Sequence, residues 1–235
     1  LAGVKRMIGC LLIHGFTGAP YEVEPLASFL EENTDWLFSV PTLPGHGEPG
    51  ALKGVRYQEW IDCAEAELKK LNEACKVVYV IGFSMGGLIA SFLAAKHPVD
   101  KLILLSAAAY YVNPRQLGAD IKKIILDSFQ GNLQENELFH RYKRKITETP
   151  LAATLQFRKL VSSVKPLLGQ VKVPTLIAQG DCDGIVPPKS AEYLYQTIGA
   201  KQKKLTYIKD SKHHICHCEE RSALFSQVLD FLMER

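Results

Sequence analysis

Val77-Val78-Tyr79-Val80-Ile81-Gly82-Phe83-Ser84-Met85-Gly86-Gly87 is the stretch from which the fold can be read. Its first five residues are β-branched or aromatic, and they run straight into Gly-x-Ser-x-Gly. A helical pattern rich in small residues, 88–97, follows at once. Strand, tight turn and helix in that order are the context of a nucleophile elbow, a turn so sharp that the serine backbone is strained and its neighbours must be small. Gly82 and Gly86 give that room, and Gly87 lets the helix lie close to the sheet. The Ser84 hydroxyl is then expected above the strand end, with backbone N–H groups of the helix N-terminus aimed at any oxyanion formed there. Alone, the glycine–serine pattern arises by chance in roughly one ordinary chain in ten. The buried strand before it and the helix after it make it specific.

Short apolar or β-branched runs recur on both sides. Residues 7–13 and 37–40 precede the elbow, and 102–106, 173–179 and 204–208 follow it, each readable as a strand. Helical patterns at 20–32, 55–75 and 219–234 lie between and after them; in the second, Trp60, Ile61, Ala64, Leu68 and Leu71 share one face. Strands separated by helices need the crossovers of a parallel sheet, which predicts a doubly wound α/β fold. From 113 to 168 no strand pattern appears, and the segment is helical, amphipathic and rich in lysine and arginine. It is expected as a helical cap, inserted into a core built from 1–112 and 169–235, that excludes water and shapes a pocket. Leu126, Phe129, Phe139 and Leu155 are its candidate pocket residues, unless they pack on one another. The run Arg141-Tyr142-Lys143-Arg144-Lys145 reads as a solvated helix face rather than a polyanion site.

Composition narrows the classes further. A chain of 235 residues, 47% hydrophobic and 23% charged, fits a globular domain with one sizeable core. A net charge of +3 is too small to imply nucleic acid or an anionic membrane as partner. The apolar runs fall short of the roughly 20 residues that a membrane helix needs, so no stable membrane insertion is expected. Six scattered cysteines read as reduced thiols of a cytoplasmic protein rather than a disulfide framework, and no signal peptide is visible. Monomer is the default expectation.

The residues suited to chemistry sit where predicted strands end. The first strand runs into His14-Gly15-Phe16-Thr17-Gly18. A strand ending in His-Gly-x is where serine hydrolases place an oxyanion donor, the backbone N–H after the glycine; here that is Phe16, and Met85 after the serine gives the other. Phe16 is also expected to line the acyl pocket, and His14 to brace the loop. His46, in the proline- and glycine-rich loop 41–50, is expected to brace that loop, since a histidine after the nucleophile is available as base. The loop Gly180-Asp181-Cys182-Asp183-Gly184-Ile185-Val186-Pro187 carries a carboxylate placed to orient a histidine. Asp183 is preferred, because the next helix is launched just after it, over Asp181, which sits nearer the strand end and can hold the turn. Asp210-Ser211-Lys212-His213-His214-Ile215-Cys216-His217-Cys218 holds three of the seven histidines. His213 is preferred as base and His214 is the runner-up, in the chain order Ser…Asp…His. Cysteine and histidine crowded on one short loop do not match the two-cluster spacing of structural zinc sites, so no metal is expected.

Together these segments resemble the α/β-hydrolase superfamily along nearly the whole chain, and within it the small bacterial carboxylesterases and monoacylglycerol lipases. The likeness rests on Leu-Ile-His-Gly-Phe-Thr-Gly at 12–18, Pro-Gly-His-Gly at 44–47, Gly-Phe-Ser-Met-Gly-Gly at 82–87, Gly-x-x-Asp-x-x-Val-Pro at 180–187 and Ser-x-His-x-Ile at 211–215. It implies a mostly parallel central sheet flanked by helices with a helical cap insertion. It also implies a serine hydrolase that cleaves carboxylic esters of small or medium acyl chains through an acyl-serine, without cofactor. The family frame places the acid at Asp183, the base at His213 and the oxyanion donors at Phe16 and Met85. The expected partner is a small-molecule ester, not nucleic acid. A thioesterase, lysophospholipase, acyltransferase or perhydrolase on the same residues is the alternative, and a non-catalytic small-ligand-binding member is the alternative of another class. The doubled histidine at 213–214 and the Cys216-His217-Cys218 run depart from the relatives, where an apolar residue usually follows the base.

Overall fold

A strand at the centre of a parallel sheet is covered by helices on both faces, so it must be apolar on both. Strand β3 (Cys75–Phe83) meets that condition, with every residue from Val78 onward buried. Its side chains alternate between two cores. Val78 and Val80 enter one, and Tyr79, Ile81 and Phe83 the other. The computed structural model describes residues 6–48, 51–110 and 151–234. Within them β1 (Arg6–Ile13), β2 (Leu37–Ser39), β4 (Lys101–Leu105), β5 (Thr175–Gly180) and β6 (Lys203–Ile208) join β3 in one parallel sheet, ordered β2-β1-β3-β4-β5-β6. Helices α1 (Glu24–Asn33) and α6 (Arg221–Met233) cover one face. Helices α2 (Tyr57–Ala74), α3 (Met85–Lys96), α4 (Leu151–Val164) and α5 (Lys189–Thr197) cover the other.

The strand order positions the site. From β1 the chain moves outward to β2 and then returns through α2 to β3 on the other side of β1. The carboxyl ends of β1 and β3 therefore stand side by side, with Ile13 paired to Gly82. In open α/β sheets a crevice opens at such a reversal of winding, outside the carboxyl ends of the strands.

Element ends differ from expectation for identifiable reasons. The first helix was expected from residue 20, but Pro20–Glu22 is a 3-10 turn and α1 begins at Glu24. Pro25 has no N–H to give the Tyr21 carbonyl, so one continuous helix through this stretch would lack that bond. Strand β4 stops at Leu105 because Ser106 turns to φ 45°. Strand β5 starts at Thr175, after Pro174, which has no ladder donor. Of the expected cap, 113–150 lies outside the described residues, and with it Leu126, Phe129, Phe139 and the basic run 141–145. The remainder forms α4 and the 3-10 segment Lys165–Gln170, packed against α2 and α3. Leu155 on α4 is about half exposed, at 48%, whereas Phe157 is buried. Among the described residues no helix is long and apolar enough to cross a membrane. None of the six cysteines is paired in a disulfide.

Candidate active site

Ser84 stands between β3 and α3 with φ 53° and ψ −115°, a conformation that costs a non-glycine residue energy and persists only where its surroundings fix it. They do so here on both sides of the residue. The Ser84 N–H donates to Leu105 O of β4 at 2.9 Å, and its carbonyl accepts from Ala108 at 3.2 Å and Gly87 at 3.1 Å. The approach of the surrounding backbone dictates the flanking glycines. A Cβ on Gly82 would fall 2.3 Å from the Gly86 oxygen, and one on Gly86 would fall 2.2 Å from the Ile13 oxygen.

Two loops bring partners to this hydroxyl. His213, on the loop after β6, places Nε2 3.0 Å from Ser84 Oγ and Nδ1 2.8 Å from Asp183 Oδ2. An ionised carboxylate only accepts, so Nδ1 carries the proton and Nε2 is free to take the hydroxyl hydrogen. Asp183, on the loop after β5, is 5% exposed. Its Oδ1 accepts the N–H groups of Ile185 and Val186 at 2.8 and 2.9 Å. Burial works against its charge, but the His213 charge and hydrogen bond, with these two amides, outweigh it and hold the carboxyl below its ordinary value. The Cys182 N–H donates to Ser211 O at 3.0 Å, tying the acid loop to the base loop. Asp181, the competing carboxylate, is exposed.

On the opposite side lies the loop after β1. His14, fully buried, donates from Nδ1 to Gly15 O at 2.9 Å and accepts the Leu43 N–H on Nε2 at 3.0 Å, which joins the loop after β1 to the loop after β2. His46 contacts Pro44 O through Nδ1 at 3.0 Å and packs beside Trp60. The Met85 amide opens α3, so no carbonyl one helical turn back can claim it. The Phe16 ring stacks on Phe157 at 5.2 Å and meets Trp60 edge-on at 5.9 Å, so α4 reaches over this loop.

The runner-up base, His214, turns away from Ser84. Its Nε2 lies 3.7 Å from Oε1 of Glu22. Burial, with the nearby Glu22 carboxylate pulling the other way, leaves its pKa below the ordinary imidazole value. His217, unexplained by sequence, donates from Nε2 to Tyr21 O at 2.8 Å, the carbonyl to which Pro25, four residues on, has no N–H to give. Among the described residues no group of three His, Cys, Asp or Glu side chains could hold a metal ion.

Two supporting residues escaped the sequence reading. Gln179, fully buried, donates from Nε2 to Asp183 Oδ2 at 2.8 Å and to Val186 O at 3.1 Å. A glutamine directly after the apolar Leu176-Ile177-Ala178 was the available signal. Glu22, 3% exposed, accepts the Gly15 N–H on Oε2 at 2.8 Å, and nothing in its local sequence marks it.

A strained serine between strand and helix, with an Asp–His pair reaching it from the last two strands of a parallel sheet, defines the α/β-hydrolase class. Over residues 8–220 the chain matches the family described as "Serine aminopeptidase, S33", and it belongs to that family. It is 28% identical to the thermostable monoacylglycerol lipase of Bacillus sp. (strain H-257), over 95% of this chain and 90% of that protein. It is 22% identical to a carboxylesterase of Bacillus subtilis (strain 168), over 94% of this chain and 91% of that protein. Among solved structures, one from the metagenome-derived lipolytic enzymes LipS and LipT superposes with a TM-score of 0.82 at 26% identity, covering 99% of this chain and 96% of its own.

Proposed function

We propose that the protein hydrolyses carboxylic esters of small or medium acyl chains, with Ser84 as nucleophile, His213 as base and Asp183 as the acid that orients it. One observation carries this reading: the unbroken line from Asp183 Oδ2 through His213 to Ser84 Oγ, at 2.8 and 3.0 Å, drawn from three separate loops. Relatives named monoacylglycerol lipase and carboxylesterase, matched over nearly their whole length, support an ester as substrate.

His213 Nε2 takes the Ser84 proton as Oγ bonds to the ester carbonyl carbon, and the carbonyl electrons move onto oxygen. The Phe16 and Met85 amides hold that oxyanion; losing one such donor costs about 3 kcal/mol of transition-state stabilisation. The tetrahedral species collapses, the C–O bond to the alcohol breaks, and His213 returns the proton to the leaving oxygen. Water, deprotonated by the same nitrogen, attacks the acyl-serine, and the acid departs as Ser84 is reprotonated. Asp183 stays ionised throughout and stabilises the imidazolium formed in each half. We assign residues 113–168 to a cap over this site, because Phe157 of α4 already stacks on the oxyanion-loop Phe16. Six cysteines outside any disulfide favour a reducing compartment such as the cytoplasm.

The test is a panel of p-nitrophenyl esters of increasing acyl length, run beside aminoacyl p-nitroanilides and acyl thioesters. Short and medium esters should turn over fastest, and Ser84→Ala should lower kcat at least about 10⁴-fold. Faster cleavage of the anilides or thioesters would move the activity to a peptidase or thioesterase. Undiminished turnover by Ser84→Ala would remove the nucleophile.

A further inference from the structure

The Phe16 amide can serve an oxyanion only if its direction is fixed, and the residue before it is a glycine. Glycine sets neither of its own backbone dihedrals by steric contact, so Gly15 must be held from outside. It is held on both sides of its Cα. Its carbonyl accepts from His14 Nδ1 at 2.9 Å and from the Gly18 N–H at 3.3 Å. Its own N–H donates to Glu22 Oε2 at 2.8 Å. The carboxylate fills the space in which a side chain at position 18 would lie, since a Cβ on Gly18 would fall 1.9 Å from Oε2. A Cβ on Gly15 would meet both Glu22 Oε2 and Ser84 Cβ at 3.2 Å, so Gly15 is sandwiched between that carboxylate and the serine.

Glu22 is in turn gripped from the base loop. His214 Nε2 stands 3.7 Å from Oε1, beyond a good hydrogen bond but within ion-pair reach. His217 Nε2 binds the Tyr21 carbonyl one residue earlier, at 2.8 Å. A buried carboxylate is costly to keep, and an apolar side chain would fill the same volume without that cost. Its position is explained by the amide it holds.

We propose that Glu22 is a positioning residue for the hydrolysis proposed above: anchored to the base loop at His214, it fixes Gly15 and thereby aims the Phe16 N–H at the developing oxyanion. This rests on Ser84 being the nucleophile and Phe16 an oxyanion donor. The two histidine-bearing segments that depart from the family pattern thus acquire a common purpose, a strut between the loop that supplies the base and the loop that supplies the oxyanion donor.

The experiment compares Glu22→Ala, Glu22→Asp and Glu22→Gln with the parent protein on p-nitrophenyl butyrate, with Ser84→Ala alongside. Misplacing a catalytic group by about an ångström costs up to roughly a hundredfold. Glu22→Ala should therefore lower kcat between about tenfold and a hundredfold with KM within about twofold. Affinity for an alkyl boronic acid, which forms a tetrahedral adduct on serine, should fall with it. Glu22→Gln keeps an oxygen that can accept the Gly15 N–H and should recover kcat to within about fivefold of the parent. Glu22→Asp, one methylene too short to reach that amide, should behave like Glu22→Ala and serves if the alanine variant does not fold. Hydrogen exchange of the peptide covering 14–18 should quicken in Glu22→Ala and Glu22→Asp, whatever Ser84 does. Parental kcat in either shortened variant, with Ser84→Ala inactive, would overturn the positioning role. So would a kcat loss that leaves boronate affinity untouched. An active Ser84→Ala would instead overturn the assignment of the nucleophile.

Discussion

His213 and His214 are neighbours in the chain, and each faces a buried carboxylate, yet the two pairs end on different groups. Asp183 and Glu22 are 5% and 3% exposed; Asp183 accepts two backbone N–H groups from its own loop, and Glu22 accepts one, from Gly15. The difference lies in what the second ring nitrogen or the second loop touches. His213 carries its Nε2 on to Ser84 Oγ, so its pair ends on the hydroxyl of the strained serine. The His214 pair ends on the Gly15 amide, so it terminates in backbone. Residue type and burial alone therefore do not assign a role. The atom at the far end of the hydrogen-bonded line does.

The contrast breaks most easily at the rings themselves. His213→Ala should lower kcat on a short p-nitrophenyl ester by about 10⁴-fold or more, whereas His214→Gln should cost less than about fivefold. Steady-state rates decide it, and equal losses would mean that the two pairs are not functionally distinct. A smaller effect is expected at the support of the acid. Gln179→Leu removes the Nε2 donor from Asp183 Oδ2 and should lower kcat about tenfold. It should also cost about 2 kcal/mol in urea unfolding, the usual range for a lost hydrogen bond to a charged group. The smallest effect, and the one that separates the pairs by pH, is on stability. Asp183 has its folded pKa depressed below 3.8, so its contribution is present above that value and is lost as pH falls through the folded pKa. His214 is also depressed, from 6.5, but for a base this means that the unfolded chain binds the proton first. Its effect is to weaken the fold as pH drops below about 6.5. Urea melts should show His214→Gln flattening the stability profile between pH 7 and 5, and Asp183→Asn flattening it only at more acid pH.

The sheet was legible because its strands are buried on both faces and leave uninterrupted apolar runs at 10–13, 77–81 and 102–105. The elbow was legible because only small residues tolerate its backbone contacts, which stamps Gly82 and Gly86 onto the sequence. That Asp183 and His213 would meet Ser84 was legible because each lies on a loop that follows a strand end. Element edges were harder, since Pro25 and the turn at Ser106 act through single backbone groups that periodicity does not register. The office of His217 and the Glu22–His214 contact were invisible for another reason: both join segments far apart in the chain, His217 lying 196 residues from Tyr21, and no local pattern encodes that distance. Gln179 is different, since its contacts to Asp183 and Val186 are only four and seven residues away; a polar residue at a strand end does not by itself say which group it will hold.

If Ser84 is an activated nucleophile held by the Asp183–His213 pair, it can be captured covalently. The protein should be treated with a fluorophosphonate, then weighed intact and digested. One adduct per chain is expected, located on the peptide that contains Ser84 and lost in His213→Ala. No adduct, or an adduct on a different residue, would contradict it.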